Sequence, residues 1–342
     1  VLILGDPEID RLLESVIFSF RTAMKASLKI AGLSIVSGCL TMGFAYKKPE
    51  EIIHAIGSTG GISTTMQRAL TSGKAFEPLP EPKEGEWLAE HPERGQTFDQ
   101  FVRSDPYRPD AKRSKIYLQP LGVFVEGQSP SIETLQSYAS AFFAMDVRVL
   151  SPLRVDSAGI TGRRNPYTGN QQILTTDILA LLKRRLRHDA FCTLAITMED
   201  LYPDPSWNFV FGQASFRDRV GIFSFARYDP AFYGEKPGKD YQEILLGRSC
   251  KVLAHETCHM FQLEHCVFFK CLMNGSNHLQ ESDARPLTLC PVCLRKLHFS
   301  TGLDVVERYH SLLAFYEEFG FTQEAGWVAG RLETILGHEK VH

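Results

Sequence analysis

The chain has no surplus of charge of either sign. Its 37 Lys and Arg stand against 40 Asp and Glu in 342 residues, a formal charge of −3. No global field draws it to nucleic acid, and no dense strip of basic and aromatic residues supplies a local one, so no nucleic-acid partner is expected. A convincing membrane span is also missing. The best candidate is IAGLSIVSGCLTMGFAY at 30–46, an uncharged run of 17 after Lys25 and Lys29. It sits near the lower bound for a membrane helix, and its glycines and hydroxyls leave a buried hairpin or an accessory helix as alternatives, so firm membrane association is not expected. No G-x-G-x-x-G follows an early strand, and neither G-x-x-x-x-G-K-[ST] nor G-x-S-x-G occurs, which removes the dinucleotide, P-loop and serine-hydrolase readings. Repeats of solenoid period and low-complexity tracts are absent too. The first residue is Val1 rather than Met, so the start supports no inference about targeting, and nothing visible there resembles a signal peptide. With 44% hydrophobic and 23% charged residues, what remains is a globular chain able to bury one large core or two smaller ones.

Apolar spacing through Ile9, Leu12, Leu13, Val16, Ile17 and Phe20 predicts a helix within 8–31, and IGSTGGISTT at 56–65 reads as a loop. Residues 1–75 are an accessory region of uncertain fold. Eight of the 18 prolines fall at 78–130. Their fixed φ and missing donors oppose long regular elements, so 76–113 reads as a surface linker and the start of the core. The pattern then turns to βαβαβ: a strand and turn at 115–124, a helix at 132–145 and a strand at 146–153. A polar loop at 156–170 follows, then a helix at 172–186 and a buried strand at 190–198. Short strands around 208–213 and 220–226 extend or edge the sheet. This order predicts an α/β fold with a mainly parallel sheet covered by helices. Helices are also expected at 248–263 and 305–319, with a cysteine-rich segment between them.

What the chain does have is a concentration of metal-binding side chains. His255, Glu256 and His259 form H-E-x-x-H on the expected helix at 248–263. Residues four apart share a helical face, so both imidazoles can reach one ion while Glu256 faces an adjacent water. His265 extends the spacing to H-E-x-x-H-x-x-x-x-x-H, and after a turn a third imidazole can close a three-histidine zinc site with one open position. Zinc would activate water and polarise a peptide carbonyl, with Glu256 as general base, so the expected class is metallopeptidase. Three structurally satisfied histidines are the alternative. Four of the eight cysteines, Cys266, Cys271, Cys290 and Cys293, lie within 28 residues and suit a closed, structural zinc site, giving two zinc ions per chain. Disulfides and unliganded thiols are the rival readings, and C-P-V-C as a nucleic-acid zinc knuckle is a further one. Without a visible secretion signal, a reducing, intracellular setting (cytoplasmic, nuclear or both) is expected. Cys39, Cys192, Cys250 and Cys258 read as packed or free thiols, with Cys258 a conceivable competing ligand.

These residues together resemble the archaemetzincin family of zinc metallopeptidases. The resemblance is strongest over 190–312 and reaches back to FDQFVRSDPYRPDAKRSKIYLQPLG at 98–122. It rests also on DLYPDPSWNFVFGQAS at 200–215, VGIFSFARY at 220–228 and CLMNGSNHLQESDARPLTLCPVCLRKL at 271–297. It implies a metzincin-like mixed sheet with an active-site helix and a catalytic subdomain at 114–264. A C-terminal subdomain at 265–342 would carry the Met-turn, the four-cysteine zinc site and the terminal helix. Catalytic zinc would sit on His255, His259 and His265, and Met273 would be the Met-turn residue beneath it. The implied substrates are short peptides, with aminopeptidase action one option. Gln262 stands where the family has glycine, and Thr257-Cys258 where Ile-Gly is common. Glycine suits a left-handed turn towards the third ligand, which glutamine enters at a cost. The alternative function is therefore a catalytically weak or inactive zinc-dependent peptide- or protein-binding protein.

Overall fold

A computed structural model of the chain describes residues 47–337, apart from 72, 125–126 and 157–158. The helix expected within 8–31, the uncharged run at 30–46 and Cys39 lie outside the described residues. Four short helices precede the sheet: α1 (Pro49–Ile56), α2 (Thr64–Leu70), α3 (Trp87–Glu90) and α4 (Phe98–Arg103). The alternating region comprises β1 (Lys115–Leu121), α5 (Ile132–Phe143), β2 (Asp146–Val149), β3 (Gly162–Arg164), β4 (Gln171–Leu174) and α6 (Thr175–Arg185). It continues with β5 (Ala190–Thr197), β6 (Asp200–Tyr202), β7 (Gly212–Ser215) and β8 (Val220–Ser224). Then come α7 (Tyr241–Met260), α8 (Leu279–Ala284), α9 (Pro291–Thr301), α10 (Val305–Glu318) and α11 (Thr322–Leu336).

The fold is mixed α/β, with a five-stranded sheet ordered β2-β1-β5-β8-β7 and a second sheet ordered β3-β4-β6. In the larger sheet, β2, β1, β5 and β8 run parallel and β7 lies antiparallel to β8 at the edge. The central β5 is buried along its whole length, as its unbroken apolar run AFCTLAIT requires of a parallel strand covered on both faces. On one face Cys192, Leu194 and Ile196 join the large core with Phe142, Phe143, Leu253 and Phe261. On the other, Ala195, Val220 and Ile222 meet Ile178 and Leu182 of α6. α5 is started by the Ser131 hydroxyl, which accepts from Thr134 N–H, and presents Leu135, Tyr138, Ala139 and Phe142 as one apolar stripe.

α7 is not amphipathic in its second half: every residue from Val252 to Met260 is buried. It runs through the core rather than over it, which places ionisable residues in the interior. α1 and α2 are clamped to the C-terminal helices: Arg295 of α9 donates to Ile56 O of α1, Arg68 Nη1 of α2 donates to Ile335 O at 3.0 Å, and Arg331 Nη2 donates to Ala69 O at 3.0 Å. Three local expectations change. The helix expected at 172–186 starts at Thr175, because Gln171–Leu174 pair with β3 and β6; the loop expected at 156–170 accordingly contains β3. The helix expected from 248 begins at Tyr241. The stretch 76–113 is not peripheral: Phe76, Trp87, Leu88 and Phe101 are buried, since proline limits the length of an element, not its burial. Among the described residues no helix is long and apolar enough to cross a membrane.

Candidate active site

α7 carries His255, Glu256 and His259 into the core, where all three are buried. The helix ends with Gln262 N–H on His259 O at 2.8 Å and Leu263 N–H on Cys258 O at 3.2 Å. Between those bonds Gln262 takes φ 67°, the left-handed region, and the reversal brings His265 back over the helix. One ring nitrogen from each of His255, His259 and His265 lies within 4.8 Å of the others. Every Nδ1 has an acceptor: Leu272 O for His255 at 3.0 Å, Leu263 O for His259 at 2.7 Å, and Glu93 Oε1 for His265 at 2.8 Å. A carbonyl can only accept, so the proton of the first two rings sits on Nδ1 and Nε2 keeps its lone pair.

His255 Nε2 and His259 Nε2 stand 3.0 Å apart, and His265 Nε2 is buried without a hydrogen-bond partner. Lone pairs facing each other this closely, with a buried orphan beside them, fit a cation. Ligands at about 2.0–2.1 Å around tetrahedral zinc stand about 3.3 Å apart. Burial first, then repulsion from His259 and Arg285, holds His255 well below the usual imidazole range; burial and His265 do the same for His259. Both rings are therefore neutral, as ligation demands.

Glu256 lines a cleft of about 660 Å³ with His259, His265, Trp87, Glu93, Trp207 and Phe216. β7 forms one wall, and Gly212 has no room for a side chain: a Cβ there would lie 2.9 Å from Ile222 O and 3.0 Å from Glu256 Oε1. The neighbouring wall at 203–210 is held from behind. Arg163 donates to Trp207 O and Asn208 O, and Arg227 makes a buried two-pronged pair with Asp200 at 2.8 and 2.9 Å while lying over the Phe209 ring.

The sulfurs of Cys266, Cys271, Cys290 and Cys293 form a second buried cluster within 4.8 Å. Cys266 and Cys290 Sγ are 3.6 Å apart, too far for a disulfide at about 2.05 Å and close to the ~3.8 Å of thiolates around one zinc. Against the cost of burial, hydrogen bonds from the other three thiols hold Cys266 well below the usual range. Asn274 knits the loop: its Nδ2 donates to Cys266 O and Phe269 O, and its Oδ1 accepts from Cys271 N–H. Met273 is fully buried beside Leu272, whose carbonyl holds His255.

A family model described as Peptidase family M54 matches residues 162–299. Archaemetzincin-2 of Rattus norvegicus is 45% identical over 271 residues, covering 71% of this chain and 75% of that one. The chain belongs to the archaemetzincin family. It is thus a zinc-dependent metallopeptidase. Archaemetzincin-1 of Mus musculus is 34% identical over 273 residues, covering 70% of this chain and 54% of that one. The solved archaemetzincin of Archaeoglobus fulgidus, complexed with malonate, gives a TM-score of 0.40 at 29% identity over 53% of this chain and 99% of that one.

Two departures of this archaemetzincin from the family pattern now have a structural account. Gln262 adopts the left-handed turn itself, and its Oε1 accepts from Tyr107 N–H at 2.8 Å. His265 is therefore not displaced. Cys258 is fully buried and belongs to neither cluster; burial pushes its thiol up, so it stays protonated. The residues that sequence reasoning missed are Trp87, Glu93, Gln96, Gly212, Asn274 and Arg285. Arg285 Nη1 donates to Asn274 O at 2.6 Å and lies 3.2 Å from His255 Nδ1. Gly212, Asn274 and Arg285 lie in segments that carry the family resemblance, whereas Trp87, Glu93 and Gln96 lie outside every one of them.

Proposed function

We propose that His255, His259 and His265 hold the catalytic zinc, that Glu256 is the general base, and that Cys266, Cys271, Cys290 and Cys293 hold a second, structural zinc. The observation that carries this reading is the convergence of three imidazole nitrogens, each ring pinned at Nδ1, beside one carboxylate in a cleft. When bound there, zinc supplies Lewis acidity, polarising the scissile carbonyl and acidifying a water. Glu256 takes the proton of the attacking water and passes it to the leaving amine. Its place against Gly212 puts it at β7, the last strand of the larger sheet among the described residues. An extended peptide adds to that edge through backbone hydrogen bonds, with Gln213 and Ala214 bordering the cleft. Met273 fills the apolar floor behind the His255 carbonyl partner.

The substrates of this reading are short peptides, cleaved from the amino terminus. A volume near 660 Å³ suits a few residues, and Trp87, Trp207 and Phe216 supply broad apolar walls. Glu93, Asp204 and Glu264 against Arg94 give the lining an acidic balance that favours a protonated amino group. The seven described cysteines are all buried and none forms a disulfide, in keeping with a reducing compartment, cytoplasmic or nuclear. Digestion of a peptide library with mass-spectrometric detection tests the proposal. Glu256→Gln is expected to lower kcat by about 10²–10⁴-fold with zinc content unchanged, and a chelator abolishes cleavage. Activity surviving Glu256→Gln sinks the general-base assignment, and internal products sink the amino-terminal preference.

A further inference from the structure

His265 differs from the other two imidazoles. It alone is off α7, it follows a left-handed non-glycine residue, and its Nδ1 donates to a carboxylate rather than to a backbone carbonyl. That carboxylate comes from a strap 172 residues earlier in the chain. We infer that the strap at 87–96 is a clamp for the third metal ligand, with Glu93 as the positioning carboxylate; this rests on the zinc assignment above.

The strap grips the ligand loop at three points. Glu93 Oε1 accepts from His265 Nδ1 and from Trp87 Nε1, both at 2.8 Å, so the carboxylate is oriented before it meets the imidazole. Trp87 is itself fixed: its N–H donates to Glu281 Oε1 at 3.0 Å, His91 covers its ring at 4.2 Å, and its indole packs edge-on to His265. It also lies on Gly275, where a Cβ would come within 2.3 Å of the ring. Gln96 brackets the turn, its Nε2 donating to Gln262 O and its Oε1 accepting from Glu264 N–H, both at 3.4 Å. The buried Lys296 ammonium of α9 donates to the same Oε1 at 2.9 Å and to Gln96 O. Gly95, at φ 73°, lets the strap pass: a Cβ there would sit 2.3 Å from Val267 Cγ2.

The chemistry follows from these contacts. An ionised acceptor fixes the His265 tautomer with the proton on Nδ1, turns Nε2 towards the other two imidazoles, and raises its basicity more than a neutral carbonyl does. Glu93 is placed for that role by geometry: one oxygen, Oε1, meets both the Trp87 indole N–H and His265 Nδ1. Gln96 holds the strained turn that glycine would otherwise relax. The clamp thus stabilises the ligand that the peptide backbone holds least.

The test is metal affinity in the full chain, with no reliance on turnover. Wild type, Glu93→Ala, Glu93→Gln and Trp87→Phe are loaded with zinc and titrated with a chromophoric chelator; a parallel cobalt loading reports the histidine site by its visible bands and the cysteine site by sulfur charge transfer. Glu93→Ala is expected to weaken the histidine site about 10–100-fold and to leave the cysteine site unchanged. Glu93→Gln, which keeps an acceptor without the charge, falls between it and wild type. Trp87→Phe keeps the ring on Gly275 but removes the N–H that orients Glu93, and gives a smaller loss in the same site; it decides the matter if Glu93→Ala does not fold. A merely structural strap would lower thermal stability without separating the two sites. Histidine-site affinity in Glu93→Ala within about twofold of wild type overturns the clamp. Wild type binding a single metal, with no histidine-site cobalt bands, overturns the zinc assignment instead.

Discussion

Replacing Gln262 by glycine and, separately, by alanine divides backbone from side chain at the turn before His265. At an ordinary negative φ, alanine is more stable than glycine by about 0.4–1 kcal/mol, because glycine gains more freedom on unfolding. At φ 67° the order reverses, since a Cβ in the left-handed region costs about 1–2 kcal/mol. Both variants lose the hydrogen bond that Gln262 Oε1 accepts from Tyr107 N–H at 2.8 Å, a loss of about 0.5–1.5 kcal/mol. Glycine recovers a similar amount by relieving the backbone and is expected within about 1 kcal/mol of wild type. Alanine keeps the strain and is expected below wild type by the full hydrogen-bond term. Urea unfolding of zinc-loaded protein at fixed total zinc reads this directly, provided the slope is unchanged among the three. Chelator competition should rank histidine-site affinity in the same order. Alanine proving more stable than glycine would refute the left-handed turn and the account of how His265 reaches the other ligands.

Gly212→Ala places a Cβ against Ile222 O and the Glu256 carboxylate; kcat/KM is expected to fall on the order of 100-fold with zinc retained, and unchanged kinetics would remove Glu256 from its place against β7. Cys290→Ser is expected to release the cysteine-site zinc and, through α9 and Lys296, to weaken the histidine site as well; elemental analysis with cobalt spectra checks both, and a histidine site indifferent to the change separates the two. Burial, with Arg285 adding repulsion, lowers Lys251 from 10.5 to about 8. Between those values the unfolded chain binds the extra proton, so stability rises with pH across that window, by on the order of 1 kcal/mol after discounting solvent screening. Urea midpoints should show that slope in wild type and lose it in Lys251→Met; a flat wild-type profile counts against the burial of the ammonium.

The convergence of His255, His259 and His265 is legible in the sequence because helix periodicity does the geometry for the first two and a six-residue interval leaves room for one turn. The cysteines read as clearly, since two close pairs specify a cluster whatever the loop between them does. The α/β order follows from apolar runs whose lengths separate strands from helices. β4 is hidden because Gln171–Leu174 run into α6 without punctuation, and its pairing partners lie elsewhere in the chain. Trp87, Glu93 and Gln96 are hidden for a different reason. They sit among prolines with no period, and what makes them part of the site is contact with residues at 262–275 that no local pattern encodes. Gln262 shows the limit of pattern in the other direction: a missing glycine suggests a missing turn, yet the surrounding hydrogen bonds hold the turn with glutamine in place.

The 172 residues between Glu93 and His265 also set an order in time. At translation rates of about 5–20 residues per second, the strap leaves the ribosome roughly 10–30 s before its imidazole partner. For most of that interval the nascent chain has neither H-E-x-x-H nor the loop the strap grips, so the proposed histidine site cannot yet be assembled on it. A contact so distant in sequence carries a larger loop-closure cost than a local one. Under the proposed zinc assignment, the histidine site reaches the geometry described above only once this distant contact has closed.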